Sequence, residues 1–317
     1  MKRTNYTRIT EFILVGFSDV LQIQYFLFMV FLCIFKVSLL AHMFIILLYR
    51  CSPNLHTPMY FFLANFSILE ICYLSTIIPN LLFNLLSGKK TITFYGCATQ
   101  MNCFLLLGSA ECYMLAAMAY DRYNAICHPL LYNNIMEKIV CIRLVIGCWF
   151  IGTMIGVLQT TLIFSLPFCS SNKINNFYCD IPPLISLACN NTEFNEIIML
   201  IITFIIIVGP FVLTVVSYAN IIWTILKHHS AGMRKKAFST CTSHLIVVSM
   251  FYGSSTIMYL RPKSSYGKNE EKYLSFIYTI IAPFMNPFIY TLRNNDVQNA
   301  VKKMKCYIKG KLFKMTD

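Results

Sequence analysis

The chain has 317 residues, of which 57% are hydrophobic and only 12% are charged, whereas soluble domains carry roughly 25% charged residues. This composition excludes a large soluble domain. The formal net charge of +13 would suit nucleic acid or a membrane surface, and the position of the cations along the chain decides between them. Residues 1–19 lack the apolar core of a cleavable signal peptide, so the first apolar run is expected to serve as an uncleaved insertion signal.

Seven apolar runs are long enough to cross a bilayer, which takes about 20 residues per helix. They predict an all-α membrane protein, a single seven-transmembrane domain over residues 1–317. Its extracellular tail would cover 1–23 and its cytoplasmic tail 293–317, with a short basic amphipathic helix over about 294–305. The predicted helices cover about residues 24–49, 57–82, 97–120, 139–163, 197–226, 238–260 and 273–292.

The cations orient the predicted bundle. With the N-terminus outside, the inner segments hold fifteen Lys and Arg residues against four acids, and the outer segments hold ten cations against seven acids. The positive-inside rule therefore predicts an extracellular N-terminus and a cytoplasmic C-terminus. The basic excess then faces membrane lipids and cytosolic partners, and no nucleic-acid partner is expected.

Two features of the predicted outer side concern covalent modification. Asn5-Tyr6-Thr7 is a glycosylation acceptor. Four of the fourteen cysteines lie at or beyond the outer boundary, where thiols are oxidised, and four cysteines allow three pairings. These four are Cys97, Cys169, Cys179 and Cys189.

Five ordered motifs together resemble one family. Residues 55–63 read LHTPMYFFL, 118–127 read MAYDRYNAIC, 217–218 read SY, 236–245 read KAFSTCTSHL and 283–294 read PFMNPFIYTLRN. The chain resembles vertebrate olfactory receptors, which are rhodopsin-like (class A) G-protein-coupled receptors, from about residue 11 to residue 303. The resemblance implies the pairs Cys97–Cys179 and Cys169–Cys189. The chain departs from the family where Ala41-His42 replaces Gly-Asn, Lys36 lies in the first span, Glu70 replaces Asp and Asn124 replaces Val.

An acid and a base stand side by side where the third span ends. Asp121 beside Arg122 would lower the cost of burying the guanidinium, and opening the pair would free Arg122 for a partner. A lone Asp-Arg pair could simply mark a helix end, but the surrounding motif favours a switch. By resemblance, Arg122 contacts the G protein, with Tyr218 and Tyr290 nearby. The other predicted residues of the switch are Asp121, Tyr123 and Arg293. Lys235 and Lys236, before the sixth span, are an expected electrostatic contact for the G protein or for lipid, and the alternative is a plain positive-inside anchor.

Two carboxylates lie deep in predicted spans, Glu70 in the second and Glu111 in the third. Ionisable residues within a membrane are functional candidates by default, and two facing acids cannot both stay ionised without a cation. The resemblance implies a sodium or proton site here. The alternative is a protonated acid bonded to a neighbour. No other cofactor is expected.

The ligand pocket is predicted from positions counted along the chain from the family's motifs. It should be a largely apolar cavity between helices with a few polar groups. Its side chains offer hydroxyls and no charge, so a small neutral odorant is expected. Because Asn176 replaces the His of a His-x-x-Cys-Asp pattern, no metal is expected beside Cys179. The predicted pocket residues are Phe104, Leu105, Gly108, Ser109, Ile202, Thr203, Ile206, Tyr252, Ser255 and Tyr259.

The leading hypothesis is an odorant receptor that activates a stimulatory olfactory-type heterotrimeric G protein and raises cAMP. It would reside in the plasma membrane, and the resemblance implies the cilia of olfactory sensory neurons. One alternative is an orphan or weakly functional receptor, for which Lys36, His42 and Asn124 are the warnings. A channel or transporter is the other, but no inverted repeat is visible. No nucleophile–base pair supports an enzyme.

Overall fold

The computed structural model describes residues 9–168, 171–189, 192–228, 231–259 and 270–292, with residues 297, 298 and 301. Side chains are described in these ranges except at 228, 231–240, 270–271 and 292. The helices are α1 (Leu21–Cys51), α2 (Pro58–Ser87), α3 (Phe94–Cys127), α4 (Tyr132–Ile135), α5 (Lys138–Phe164), α6 (Ile181–Ile185), α7 (Glu193–His228), α8 (Ala231–Tyr259), α9 (Glu270–Phe276) and α10 (Ala282–Leu292). The strands are β1 (Glu11–Leu14), β2 (Thr91–Thr93) and β3 (Lys173–Ile174).

Most long helices extend beyond the apolar runs that predicted them at one or both ends, because hydropathy does not mark where a helix begins or ends. The Thr93 side chain accepts a hydrogen bond from the Gly96 N–H, so α3 begins at Phe94. At its other end α3 continues through the polar residues after Asp121. Helix α2 ends at Gly88, whose φ of 66° is left-handed and favours glycine.

Within the described ranges, six helical segments are long and apolar enough to cross a membrane. Helix α8 is long enough as well, but its hydroxyl-rich sequence and its basic first turns keep it out of that set. Five of the six segments are α1, α2, α3, α5 and α7, and the sixth runs over Lys272–Thr291. A mostly helical bundle of membrane-length elements confirms the predicted fold class.

Helix α3 lies at the centre of the bundle and packs against α2, α5 and α7, while α1 packs against α2 and α10. Two glycines on α5 allow its close approach to α3. A Cβ at Gly152 would lie 2.4 Å from the Leu106 carbonyl oxygen, and one at Gly156 would lie 2.9 Å from the Asn102 carbonyl oxygen. Small residues four positions apart are a common device for bringing membrane helices together.

Replacing Gly152 with alanine is expected to destabilise the bundle by about 1–3 kcal/mol, because a backbone oxygen cannot move aside without shifting α3. The measurement is thermal unfolding of the purified receptor together with its surface level in cells. Gly147→Ala on the same helix is the matched control, since a Cβ there has nothing within 4 Å. Equal stability of the two variants would contradict the close contact.

A small sheet covers one end of the bundle, which we call the sheet end. Strand β1 is its centre, antiparallel to β2 and parallel to β3. The apolar runs did not predict it, since its strands are two to four residues long. Phe12 on β1 is fully buried and packs against the rings of Phe94 and Phe168, so the sheet is anchored to the ends of the helices.

The last membrane-length segment is irregular. A π-helical turn over Ile277–Ile281 joins α9 to α10, and Pro287 lies inside α10. Proline lacks an N–H and therefore leaves the carbonyl four residues earlier, that of Pro283, without its helical partner. π-Helical turns such as the one over Ile277–Ile281 are frequent at functional sites.

Candidate functional site: a cavity and an Asp-Arg pair at opposite ends

A cavity of about 60 Å³ lies below the sheet end of the bundle. This is room for roughly four to six water molecules. No side chain that lines it carries a formal charge. The lining residues are Tyr73, Phe104, Leu105, Gly108, Ser109, Cys112, Gln159, Ile181, Thr203, Ile206, Ile207, Phe251, Ser255, Tyr259 and Tyr278.

The structure brings eight of the ten predicted pocket residues to this cavity and leaves two outside its lining. Tyr252 donates its hydroxyl to the Cys112 carbonyl oxygen at 2.7 Å, which holds its ring between α3 and α8 beneath the cavity. Ile202 is half-buried and packs in the apolar cluster of the bundle. Counting along a helix fixes the turn on which a residue lies, but a small rotation of the helix decides which neighbour faces the cavity.

Several lining residues were missed because they come from elements that the motif counting did not reach. Tyr73 lies on α2, Gln159 on α5, Ile181 on α6 and Tyr278 in the π turn. No local pattern around them marks a pocket residue. The placement of Ile181 depends on the disulfide-linked segment, and that of Tyr278 depends on the irregular turn.

A disulfide joins Cys97 at the start of α3 to Cys179, which confirms one of the two implied pairs. The Cys179 N–H also donates to Gln100 Oε1 at 3.0 Å. Cys189 is disulfide-bonded too, and Cys169, the partner implied for it, lies outside the described residues. These links hold the segment after β3 over the cavity.

That segment places a buried acid, Asp180, among three tyrosines. Tyr178 donates to Asp180 Oδ2 at 2.8 Å, and Tyr259 donates to Oδ1 at 3.1 Å. The Tyr278 hydroxyl lies 2.6 Å from the hydroxyls of both Tyr178 and Tyr259. We call these four residues the Asp180 cluster. Since Tyr259 and Tyr278 also line the cavity, the cluster ties the covering segment to α8 and to the last span.

Burial raises the pKa of the Asp180 carboxyl from its ordinary 3.8 to about 6, although the hydrogen bonds from Tyr178, the Ile181 N–H, Tyr259 and Tyr278 lower it. Because the folded-state pKa lies above the unfolded value, the folded protein binds this proton more tightly. The resulting stability is fully present below pH 4 and is lost as the pH rises through about 6.

Between pH 5 and pH 7.4 the receptor is therefore expected to lose about 1–2 kcal/mol of stability through Asp180. Asp180→Asn, which mimics the protonated acid, should flatten that slope in thermal unfolding measured across the pH range. Asp19→Asn is the control, because Asp19 is an acid of the same end whose pKa is lowered by the Lys90 hydrogen bond and so does not titrate in that window. An unchanged slope in Asp180→Asn would overturn this account.

A polar core lies deeper in the bundle. The Asn286 amide donates to Glu70 Oε1, and the carboxyls of Glu70 and Glu111 are close enough to interact. Among the described residues, these side chains have four buried oxygens without a hydrogen-bond partner: Glu70 Oε2, both carboxylate oxygens of Glu111 and Asn286 Oδ1. A cluster of unpartnered oxygens is a donor set that suits a hard cation or shared protons.

At the opposite end, Asp121 and Arg122 form a closed pair. Arg122 donates to Asp121 Oδ2 from Nη2 at 2.7 Å and from Nε at 3.1 Å. Tyr132 on α4 donates to Asp121 Oδ1 at 2.7 Å. The carboxylate is 1% exposed and the guanidinium side chain 14%, so both charges are compensated inside the bundle.

Two further predicted switch residues are buried near this pair. Tyr218 on α7 shares a 2.8 Å hydrogen bond with His244 Nδ1 on α8. Tyr290 packs its ring against Phe66, and its hydroxyl has no hydrogen-bond partner among the described residues. Tyr123 instead points its hydroxyl to His128 Nε2 at 3.1 Å, near the surface.

Some predicted residues fall outside this description. Asn5 and Arg293 lie outside the described residues. The backbones of Lys235 and Lys236 belong to α8, but their side chains are outside the description as well. Their predicted roles therefore stay predictions.

Two of the departures from the family pattern have clear local partners. His42 on α1 is buried and its Nε2 lies 3.3 Å from the Pro283 carbonyl oxygen, the group that Pro287 leaves without a helical partner. Asn124 is 2% exposed and donates to the Tyr120 carbonyl at 2.8 Å. Its side chain therefore faces the bundle and not water.

A bundle of membrane-length helices with a cavity at one end and a buried Asp-Arg pair at the other is the architecture of a seven-helix, G-protein-coupled-type receptor. The olfactory receptor family model matches residues 31–307. Human olfactory receptor 10AG1 is 50% identical over 93% of this chain and 98% of its own length. Human olfactory receptor 10A7 is 48% identical over 94% and 95%, and mouse olfactory receptor 5AR1 is 45% identical over 96% and 98%.

The chain belongs to the olfactory receptor family. It is therefore an odorant receptor and a multi-pass membrane protein, in a family of receptors and not of enzymes. The channel and transporter alternative falls with that assignment.

Proposed function

We propose that the receptor binds small neutral volatiles in the cavity between α3, α7 and α8, and that binding activates a stimulatory olfactory-type G protein to raise cAMP. The observation that carries the ligand class is the lining itself, apolar and aromatic with hydroxyls from Ser109, Thr203 and Ser255 and no charged group. An alcohol, ester, ketone or aldehyde satisfies such a lining without leaving a charge unpaired. A ligand larger than the cavity of about 60 Å³ must displace side chains of the lining in order to bind.

The route from cavity to G protein runs along α3. Gly108 and Ser109 line the cavity, Glu111 lies one turn further along, and Arg122 lies three turns beyond Glu111 at 3.6 residues per turn. Opening the Asp121–Arg122 pair would present the guanidinium to the G protein, with Lys235, Lys236 and Arg293 as further basic contacts. The receptor would then have one state with the Asp121–Arg122 pair closed and one with it open. The unpartnered oxygens of Glu70, Glu111 and Asn286 support a sodium ion or shared protons as the group that shifts the balance between these states.

This route requires a defined placement in the membrane. We propose a plasma-membrane receptor with the sheet end and Asn5 outside and Arg122 in the cytoplasm, following the positive-inside distribution of cations. The sensory neuron cilium is the location that olfactory receptor membership favours.

The test is expression of the full chain with a stimulatory olfactory-type G protein and a screen of volatile alcohols, esters, ketones and aldehydes for cAMP. At least one neutral class should raise cAMP in a dose-dependent way, and charged acids and amines of similar size should not. No response to any class at verified surface expression would contradict the proposal. It would favour the weakly functional receptor instead.

A further inference from the structure

Lys36 is a departure from the family pattern for which the described part of the bundle supplies no role. It lies at the middle of α1 and is exposed on the side of the helix that faces away from α2 and α10. It is 15 residues from either end of the helix, so about 22 Å from each, and a bilayer's hydrocarbon half-thickness is roughly 15 Å. With the bilayer centred on α1, the lysine stem is shorter than that half-thickness, so the ammonium does not reach either interface by snorkelling.

The exposed face around Lys36 has a regular pattern. Its residues alternate three and four positions apart, the spacing with which one helix packs along another in a left-handed pair. We call this face the α1 stripe. It consists of Phe26, Met29, Cys33, Lys36, Leu40, Met43 and Leu47, all of them exposed.

A lysine in the middle of an otherwise apolar stripe is expensive in lipid and calls for a partner of opposite charge. Headgroups do not reach the midplane, so the partner must be another protein group. From the stripe's geometry and its single charge, we propose that the α1 stripe docks a transmembrane helix of a different membrane protein that carries an aspartate or glutamate at mid-depth.

A second copy of this chain does not fit the stripe. A symmetric pairing would set Lys36 against Lys36. The acids that the chain carries at mid-depth are Glu70 and Glu111, which are 0% and 1% exposed and unavailable to a neighbour. The acid must therefore come from another protein, and a single polar residue at such a position fixes the register of the pair.

The experiment measures energy transfer between the labelled full-length receptor and synthetic single-span helices in lipid vesicles. The probes are leucine-alanine helices of about 22 residues with a central Asp, a central Lys or no charge. The Asp probe should associate with the wild type at least about fivefold more strongly than the uncharged probe. Lys36→Leu should abolish that preference, Lys36→Arg should keep it, and Lys36→Glu should transfer it to the Lys probe.

The variants keep the test independent of folding, because Lys36→Leu removes a charge from a lipid-facing position. Equal binding of the Asp and uncharged probes to the wild type would overturn the proposal. So would an Asp-probe preference that survives in Lys36→Leu. Receptor–receptor energy transfer that disappears in Lys36→Leu would assign the stripe to a second copy and overturn it as well.

Discussion

Arg122→Ala is expected to abolish odorant-evoked cAMP, with a response below about 1% of wild type, while leaving receptor at the cell surface. The guanidinium is the group that the closed pair releases, and a lost charge-assisted contact to the G protein costs on the order of 2–5 kcal/mol. Removing Arg122 also leaves the Asp121 carboxylate buried with only the Tyr132 hydroxyl, so some loss of surface level is expected as well. Signalling must therefore be normalised to surface-labelled receptor.

Two controls separate switching from folding. Arg143→Ala removes an exposed arginine from the same end of the bundle and should leave cAMP unchanged. Asp121→Asn weakens the closed pair while retaining Arg122, so basal cAMP without odorant should rise. Retained odorant responses in Arg122→Ala, or a silent Asp121→Asn at normal surface level, would contradict the switch assignment.

Breaking the Cys97–Cys179 bond is expected to have the second-largest effect. The bond closes a loop between residues 82 positions apart, and loops of that length contribute about 4–5 kcal/mol by the chain-entropy model. Cys179→Ser should therefore remove most receptor from the cell surface, as measured by labelling intact cells. The receptor that remains should bind odorant poorly, because the Asp180 cluster is no longer held over the cavity.

Cys103→Ala is the matched control, since Cys103 lies on the same helix six residues further along and is a free thiol. It should keep both surface level and odorant response. A Cys179→Ser receptor that reaches the surface and responds normally would contradict the structural role given to the bond.

The fold was predictable from the sequence because hydropathy marks membrane helices directly. The switch was predictable because its residues form contiguous motifs. Asp121 and Arg122 needed no long-range information. The cavity was only partly predictable. Gly108 and Ser255 follow from counting along their helices, but Tyr278 reaches the cavity through a π turn that no local pattern announces.

The polar contacts that bridge distant elements were the least predictable. The Asp180 cluster joins residues about 80 to 100 positions apart, and its acid was noted in the sequence only as part of an incomplete metal pattern. His42 was a warning in the sequence. In the structure its ring bonds to the Pro283 carbonyl, which Pro287 leaves without a helical partner. The sequence around His42 could not predict this contact, because Pro283 lies 241 positions away.

Binding of the odorant in the cavity between α3, α7 and α8 is tested most directly by the dose–response curve of an active volatile on Gly108→Val. A Cβ at Gly108 would lie 3.7 Å from Tyr73 Cε2, an ordinary contact, and the two methyl groups that valine adds beyond it would take up space in the cavity that Gly108 lines. If the odorant binds in this cavity, the curve of Gly108→Val shifts to at least about tenfold higher odorant concentration, the effect of roughly 1.4 kcal/mol of lost binding, and the curve of Gly147→Val is unchanged. Identical curves for Gly108→Val and wild type at equal surface level would show that the odorant binds elsewhere.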